Sequence, residues 1–425
     1  MKDKFFCPEA FAGIRADTSG GYKPCCVFKG NIGSTEQYSP IEVMQSEPAK
    51  KLRQAFIDQD KEYLNKHCQS CIQLESDGLK SRRIEAVENY KNGKYEGMEH
   101  KLEEAKEDPG SFFHSIEVPS RTGNYCNLKC AMCQPACSSS FSKEVDELGD
   151  DSPYEQPLWE HTQAAVKYKN LNKFKWTWKH SDNFDRDMYK ILDNVLELKF
   201  SGGEPLAAKW NYDLMLKAVE KDKAKDILLQ FNTNCTLTSP VKTTEKVSIF
   251  DIVKHFKNAQ MNVSIEGWGL KNDYIRYPSD FNLILDNARR FASIDCVDVT
   301  FVSTVNAINI ADLGDIYLNS MRYAEFKPAV AVNYVDEGDP SFMHITAIPD
   351  SVKEAQLDKM YSSSKDVAEY LAPYVEMLEN AVWNPNTTEK MLSRIVARDK
   401  LRGQCLLDHW PEWSEYYEDF CSKNW

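Results

Sequence analysis

A chain of 425 residues, 42% hydrophobic and 28% charged, is long enough for a large core and for two or three domains. Its formal net charge of −13 repels polyanions and argues against a nucleic-acid partner. The opening Met1-Lys2-Asp3-Lys4-Phe5-Phe6-Cys7-Pro8 has no apolar run of signal-peptide length, and no later stretch approaches the roughly 20 apolar residues of a membrane span, so a cytoplasmic protein without membrane attachment is expected. In that reducing compartment the thirteen cysteines read as metal ligands rather than as disulfides.

The first seventy residues carry Cys7, Gly20, the pair Cys25 and Cys26, and then Cys68-Gln69-Ser70-Cys71. Ser19-Gly20-Gly21-Tyr22-Lys23-Pro24 reads as a turn that returns a hairpin's far strand beside the first, since glycine permits positive φ and proline fixes the exit. Cys68 and Cys71 close the set as a two-residue-gap chelate, with the choice between Cys25 and Cys26 open. A four-thiolate zinc site would use the same ligands. Cys7-x12-Gly20-x4-Cys25 followed by Cys-x2-Cys resembles the opening of the SPASM pattern, the auxiliary-cluster domain of many radical S-adenosylmethionine (SAM) enzymes. Asp77 and Ser81 stand where that pattern has two more cysteines. The resemblance is therefore to the shortened twitch form, which implies one auxiliary [4Fe-4S] cluster on four cysteines. In the family this module usually follows the radical domain; here it precedes it.

Residues 80 to 109 are charge-rich with helical spacing and read as a solvated helix and linker, broken by Asp108-Pro109-Gly110. From Phe112 short β-branched or aromatic runs alternate with longer amphipathic stretches, the pattern of a βα series and a parallel sheet. The strands expected are His114–Val118, Leu196–Ser201, Ile227–Asn232, Met261–Glu266, Val297–Val305 and Ala329–Tyr334.

Just after the first of these lies Cys126-x3-Cys130-x2-Cys133. Three thiolates leave a tetrahedral metal, or one corner of a cubane, without a protein ligand. The loop resembles that of the radical SAM superfamily, and Asn127, Leu128 and Lys129 match the usual filling of its first gap. The resemblance implies a [4Fe-4S] cluster on Cys126, Cys130 and Cys133 whose open iron is capped by the amino and carboxylate groups of SAM. Met132 takes the place of the usual aromatic residue; a thioether also packs on a purine face.

The strand ends continue the resemblance, and chemistry in parallel barrels sits at those ends. Gly202-Gly203-Glu204-Pro205 is similar to the family's motif for the SAM amino group, glycines allowing close backbone approach and the carboxylate meeting an ammonium. Asn232-Thr233-Asn234-Cys235 stands where the family often has Thr-Asn-Gly, with Asn234 a candidate contact and Cys235 a core thiol. Ser264-Ile265-Glu266-Gly267 and the downstream Arg276 are similar to the family's Ser-Ile-Asp-Gly strand and its arginine. They make Ser264 and Arg276 candidates for the SAM carboxylate, against an ordinary surface role for Arg276. Asn306, after the fifth strand, is a candidate near the ribose.

Between Cys133 and Ser201 lies an insertion containing Trp159, Tyr168, Phe174, Trp176, Trp178 and Tyr189, which reads as an added helical layer or a substrate cover. Helices are expected at Asp350–Tyr361, Lys365–Asn380 and Thr388–Leu401, before an aromatic, acidic tail. Cys137, Cys405, Cys421, His67 and His409 are left unassigned.

The expected architecture is thus α/β, a partial (β/α)6 TIM-like barrel over 113–335. A cysteine-rich module over 1–92, a charged linker over 93–112 and a helical region over 336–425 complete it. The resemblance implies reductive cleavage of SAM to a 5′-deoxyadenosyl radical that removes hydrogen from a substrate. It also implies an electron donor such as flavodoxin or ferredoxin. A net oxidation or cross-link of a peptide, with the auxiliary cluster accepting the electron, is the expected outcome. Oxidation of a small sugar- or alcohol-like metabolite and a non-catalytic iron–sulfur or zinc scaffold are the alternatives, and nothing in the sequence names the substrate.

Overall fold

The computed structural model describes residues 5–17, 20–76, 80–91, 99–119, 124–133, 137–148, 153, 180–241, 247–323, 326–331 and 341–424. It is an α/β protein that divides into two compact units. One contains residues 1–123, 176–231 and 239–260; the other contains 124–175, 232–238 and 261–425. The strands are β1 Gly13–Ala16, β2 Gly21–Lys23, β3 Gly33–Ser34, β4 Ser115–Pro119, β5 Glu197–Ser201, β6 Leu228–Thr233, β7 Asn258–Ser264, β8 Val297–Thr304 and β9 Phe326–Ala331.

In the first unit the strands run in the order β3-β2-β1-β4-β5-β6. The hairpin of β1 and β2 is antiparallel, Arg15 facing Lys23, and its turn is held by Asp17 Oδ1, which accepts from the Gly21 amide at 2.9 Å. Gly20 takes φ +85° there, a conformation that glycine adopts at little cost. The pairs β1–β4, β4–β5 and β5–β6 are parallel. Strand alternation puts Ile14, Ile116, Leu198, Phe200, Leu229 and Phe231 into the core, with the Phe200 and Phe231 rings stacked at 4.8 Å. The opposite face is polar. Register aligns Lys23, Arg15, Glu117, Lys199 and Gln230 in one row across five strands, all half-buried.

In the second unit β8 pairs parallel with β9, and β8 alternates buried and half-buried side chains along its length. β9 begins three residues before the strand expected at Ala329, and Lys327-Pro328 explains the displacement: a lysine and a proline interrupt an apolar pattern, which a terminal strand tolerates. The remaining part of that expected strand, 332–334, lies outside the described residues. Helices Asp350–Tyr361 and Lys365–Asn380 stand where their periodicity placed them. The next helix, Pro385–Arg402, is longer at both ends than expected. Asn384 caps its start, Pro385 occupies the first turn, and Gly403 in the left-handed conformation (φ +64°) ends it.

The charged stretch after residue 80 is not simply a solvated helix. It contains helices Arg82–Lys91 and Glu99–Glu107, and each buries residues at helical spacing, Ala86 and Tyr90 in the first and Leu102 and Ala105 in the second. Trp159, Tyr168, Phe174, Trp176 and Trp178 of the aromatic insertion lie outside the described residues. Tyr189 falls in helix Phe184–Ile191. No helix among the described residues is long and apolar enough to cross a membrane.

Candidate cofactor-binding site

The second unit gathers the three cysteines of the Cys-x3-Cys-x2-Cys loop. Cys126, Leu128 and Cys130 are buried together, with Met132 and Cys133 packed against them. The loop has no regular secondary structure, so its backbone polar groups need other partners. Serines at the start of helix Ser139–Leu148 supply two: Ser140 Oγ donates to the Cys126 carbonyl at 2.7 Å and Ser138 Oγ to the Leu128 carbonyl at 2.6 Å. Amides of Lys129 and Ala131 donate to the carbonyls of Tyr277 and Ile275, both at 2.6 Å. Carbonyls of the same two residues accept from arginines on helix Pro385–Arg402, Lys129 from Arg402 Nη2 at 2.7 Å and Ala131 from Arg398 Nη1 at 2.9 Å.

Two N–H groups approach the Cys126 sulfur, the Leu128 amide at 3.5 Å and Asn234 Nδ2 at 3.9 Å. Asn234 follows β6 and also donates to Asn127 Oδ1 at 3.0 Å. Cys235 is fully buried at φ +58°, so a thiol occupies a backbone conformation that favours glycine. Ser264 is half-buried at the end of β7. Asn306 is buried and both ends of its amide serve its own loop, donating to the Thr304 carbonyl and accepting from the Ile308 amide.

Arg276 is not a surface arginine. Its side chain is only 12% exposed and pairs with Glu266, Nη1 to Oε2 at 2.5 Å. Burial works against its charge, but Cys130 and Glu266 hold the guanidinium above its ordinary range. Its Nε is buried without a hydrogen-bond partner among the described residues. Burial pushes the Cys130 thiol up; Arg276 pulls it back, Glu266 adds to the rise, and Arg402 opposes it.

The first unit holds the Gly-Gly-Glu-Pro turn, directly after β5. Gly202 is at φ +103°, and Glu204 is fully buried with Oε1 accepting from the Leu206 amide at 3.0 Å. Pro205 opens the short 3-10 helix that follows.

The same unit contains a small cavity, partly open to solvent, which is lined by Cys7, Cys25, Cys68 and Cys71 among Phe5, Phe28 and Phe56. Cys25 faces the cavity and Cys26 is exposed, which separates the adjacent pair. Burial raises the thiols: Cys68, with Cys71 beside it, is pushed up to about 12. Cys7 is raised by burial and then by Glu9, Cys68 and Cys71. Arg82 and Arg83 line the same space. Arg83 pairs with Glu75, and Arg82 pairs with Glu9 at 3.3 Å, which also meets His114 Nε2 at 3.2 Å. Glu9 lies so close to β1 that a Cβ on Gly13 would come within 2.2 Å of its carboxylate. Ser81, at one of the two positions where the SPASM pattern has cysteine, caps helix Arg82–Lys91 through the Ile84 amide at 3.1 Å. Asp77 lies outside the described residues.

Among the described residues no group of three or more His, Cys, Asp or Glu side chains is arranged to hold a metal ion. Fit to a cluster therefore rests on donor chemistry, and there the residues agree. The second unit offers three soft thiols with N–H groups directed at sulfur and guanidinium charge nearby, surroundings that stabilise a thiolate-bound cluster. The first unit offers four thiols around one cavity.

Reading the sequence alone missed Glu266, Glu144, Arg398 and Arg402. Glu144 is fully buried and takes both arms of Arg402, Nε at 3.0 Å and Nη2 at 2.5 Å. The available signal was the four-residue spacing of Arg394, Arg398 and Arg402 on one helix face.

No family model matches the chain, and no curated protein matches it. Among solved structures it is similar to the crystal structure of Streptococcus suis SuiB bound to S-adenosylmethionine, at 14% identity and a TM-score of 0.31, over 87% of this chain and 69% of that one.

Proposed function

We propose that the protein is a radical SAM enzyme, with SAM as cosubstrate and a [4Fe-4S] cluster on Cys126, Cys130 and Cys133. The observation that carries this reading is the gathering of those three thiols as one group, Cys126 and Cys130 buried and the half-buried Cys133 packed against them, with N–H donors aimed at the Cys126 sulfur. The strand-end motifs support it. In this reading β4 to β9 and their helices form the partial (β/α)6 TIM-like barrel. Cys7, Cys25, Cys68 and Cys71 would hold an auxiliary [4Fe-4S] cluster, fully capped by protein.

When bound, these groups supply the electron that cleaves SAM to methionine and a hydrogen-abstracting 5′-deoxyadenosyl radical, and an acceptor for the electron left on the substrate. The chain's own residues bind and orient. Gly202 and Gly203 let backbone approach the SAM amino group, with Glu204 its carboxylate partner and Pro205 fixing the turn. Met132 packs against the adenine, and Asn234 holds the first gap of the loop through Asn127. Arg276, with Glu266 on one arm and Nε unpartnered, serves the SAM carboxylate with Ser264. Asn306 shapes the loop after β8. We propose net oxidation or cross-linking of a peptide, served by a flavodoxin- or ferredoxin-like donor. Oxidation of a small alcohol uses the same residues.

Anaerobic incubation with SAM and a reductant tests this reading. The expected product is 5′-deoxyadenosine, formed slowly even without substrate. A reconstituted, SAM-bound protein that forms none would be a scaffold rather than an enzyme.

A further inference from the structure

Cys130 sits between two residues whose backbone groups are all engaged. The amides of Lys129 and Ala131 donate to Tyr277 and Ile275, and their carbonyls accept from Arg402 and Arg398. These arginines come from a helix more than 250 residues further along the chain. We propose that Arg398 and Arg402 are positioning residues for the cysteine loop, a two-point clamp that fixes Cys130 and brings positive charge to whatever its sulfur ligates. This rests on the reading that the loop holds a cluster.

Three features favour a clamp over ordinary packing. Both guanidinium groups are buried, and burying a guanidinium carries a desolvation cost that an apolar side chain of similar size would avoid. A helix that only had to cover the loop would be served better by leucine or methionine. The donors also reach successive odd positions of one loop, Lys129 and Ala131, which arginines four residues apart on a helix can do from a single face. Finally, Arg402 is itself fixed, because the carboxylate of Glu144 takes two of its N–H groups and its guanidinium lies over the Tyr277 ring at 4.7 Å. Arg398 is packed against the Phe141 ring at 5.4 Å. A fork held in this way keeps its direction when the loop moves.

Two measurements on the full chain test the clamp. The first uses metal-free protein and maps thiol alkylation by mass spectrometry in Arg398→Gln and in the double variant Arg402→Gln with Glu144→Gln, which removes both charges of that pair together and leaves the partly exposed Lys129 Nζ, 3.2 Å from Glu144 in the parent, to solvent. Cys130 should react about tenfold faster than in the parent, equivalent to about 1.4 kcal/mol of lost anchoring. Cys235, buried in the same unit, should keep its rate. Equal acceleration of both thiols would mean general loosening, and no acceleration would mean no clamp; either overturns the proposal.

The second measurement uses reconstituted protein and follows the paramagnetic resonance signal that changes on adding SAM. Arg398→Gln should shift its midpoint potential to more negative values, because losing a nearby positive charge disfavours the reduced cluster. Arg398→Lys, which restores charge without the fork and guards against a folding defect in the glutamine variant, should restore the potential but not the parental line shape. Potential and line shape unchanged in both variants would refute the clamp. A parent protein without any SAM-responsive signal would instead count against the cluster reading, while the alkylation result still decides whether the loop is clamped.

Discussion

Glu266, fully buried, and the largely covered Arg276 form an ion pair, Oε2 to Nη1 at 2.5 Å, whose charges both bear on Cys130. Removing one partner leaves the other charged and desolvated. Arg276→Met should destabilise the protein by about 3–5 kcal/mol, while Arg276→Met combined with Glu266→Met should cost much less. Denaturant unfolding of the parent, the two single variants and the double variant measures this, and additive losses would show that the pair is not coupled.

Glu9 gives the first unit a pH dependence of known sign. Burial alone would raise its carboxyl, but His114 and Arg82 outweigh that and hold it down at about 2, from 4.5. A group depressed on folding adds stability above its unfolded value and loses it as the pH falls through its folded value. The contribution, about 3 kcal/mol, should therefore be present at neutral pH and disappear between about pH 4.5 and 2. Glu9→Gln should flatten the acid limb of a stability-against-pH curve; an unchanged limb would assign acid unfolding to other groups.

The adjacent thiols at 25 and 26 should behave differently. Cys25 faces the cavity and Cys26 is exposed. After anaerobic reconstitution Cys25→Ala should lose about half of the iron, as should Cys126→Ala with Cys130→Ala and Cys133→Ala, whereas Cys26→Ala should keep it all. Zinc in place of iron in the first unit would assign those thiols to a structural site.

Glu204→Ala should leave the iron content unchanged and weaken SAM binding by about ten- to a hundredfold, the range for losing a charge-assisted hydrogen bond. Calorimetry on the reconstituted protein gives the affinity. An unaltered constant would remove Glu204 from the SAM site and leave it a structural role, such as its bond to the Leu206 amide.

Much of the fold was legible because local chemistry and global structure agree. β-branched runs such as Val297–Thr304 alternate as a strand must, and the helices at 350 and 365 have the bounds expected of them. The cysteine loop was legible from spacing alone. Arg398 and Arg402 were not, since arginines four residues apart on a helix ordinarily face water, and only tertiary structure turns them onto Lys129 and Ala131. Arg276 was noticed, but its partner was not: Glu266 looked like one residue of a strand-end motif until the chain placed it against the guanidinium. The exposure of Cys26 could not be read either, because neighbours in a turn point in directions that the hairpin decides.

The polar row across β2, β1, β4, β5 and β6 has a consequence for hydration. Lys23, Arg15, Glu117, Lys199 and Gln230 are aligned on a sheet face where parallel strands usually bury aliphatic side chains under helices. Arg15 and Glu117 pair at 3.3 Å with about a fifth of each side chain still exposed, so the row remains partly accessible to solvent. An oily surface laid on that row would leave its charged and amide groups without partners and incur their desolvation. A surface that offers hydroxyl or amide groups to the row avoids that cost, because it gives the same side chains new partners.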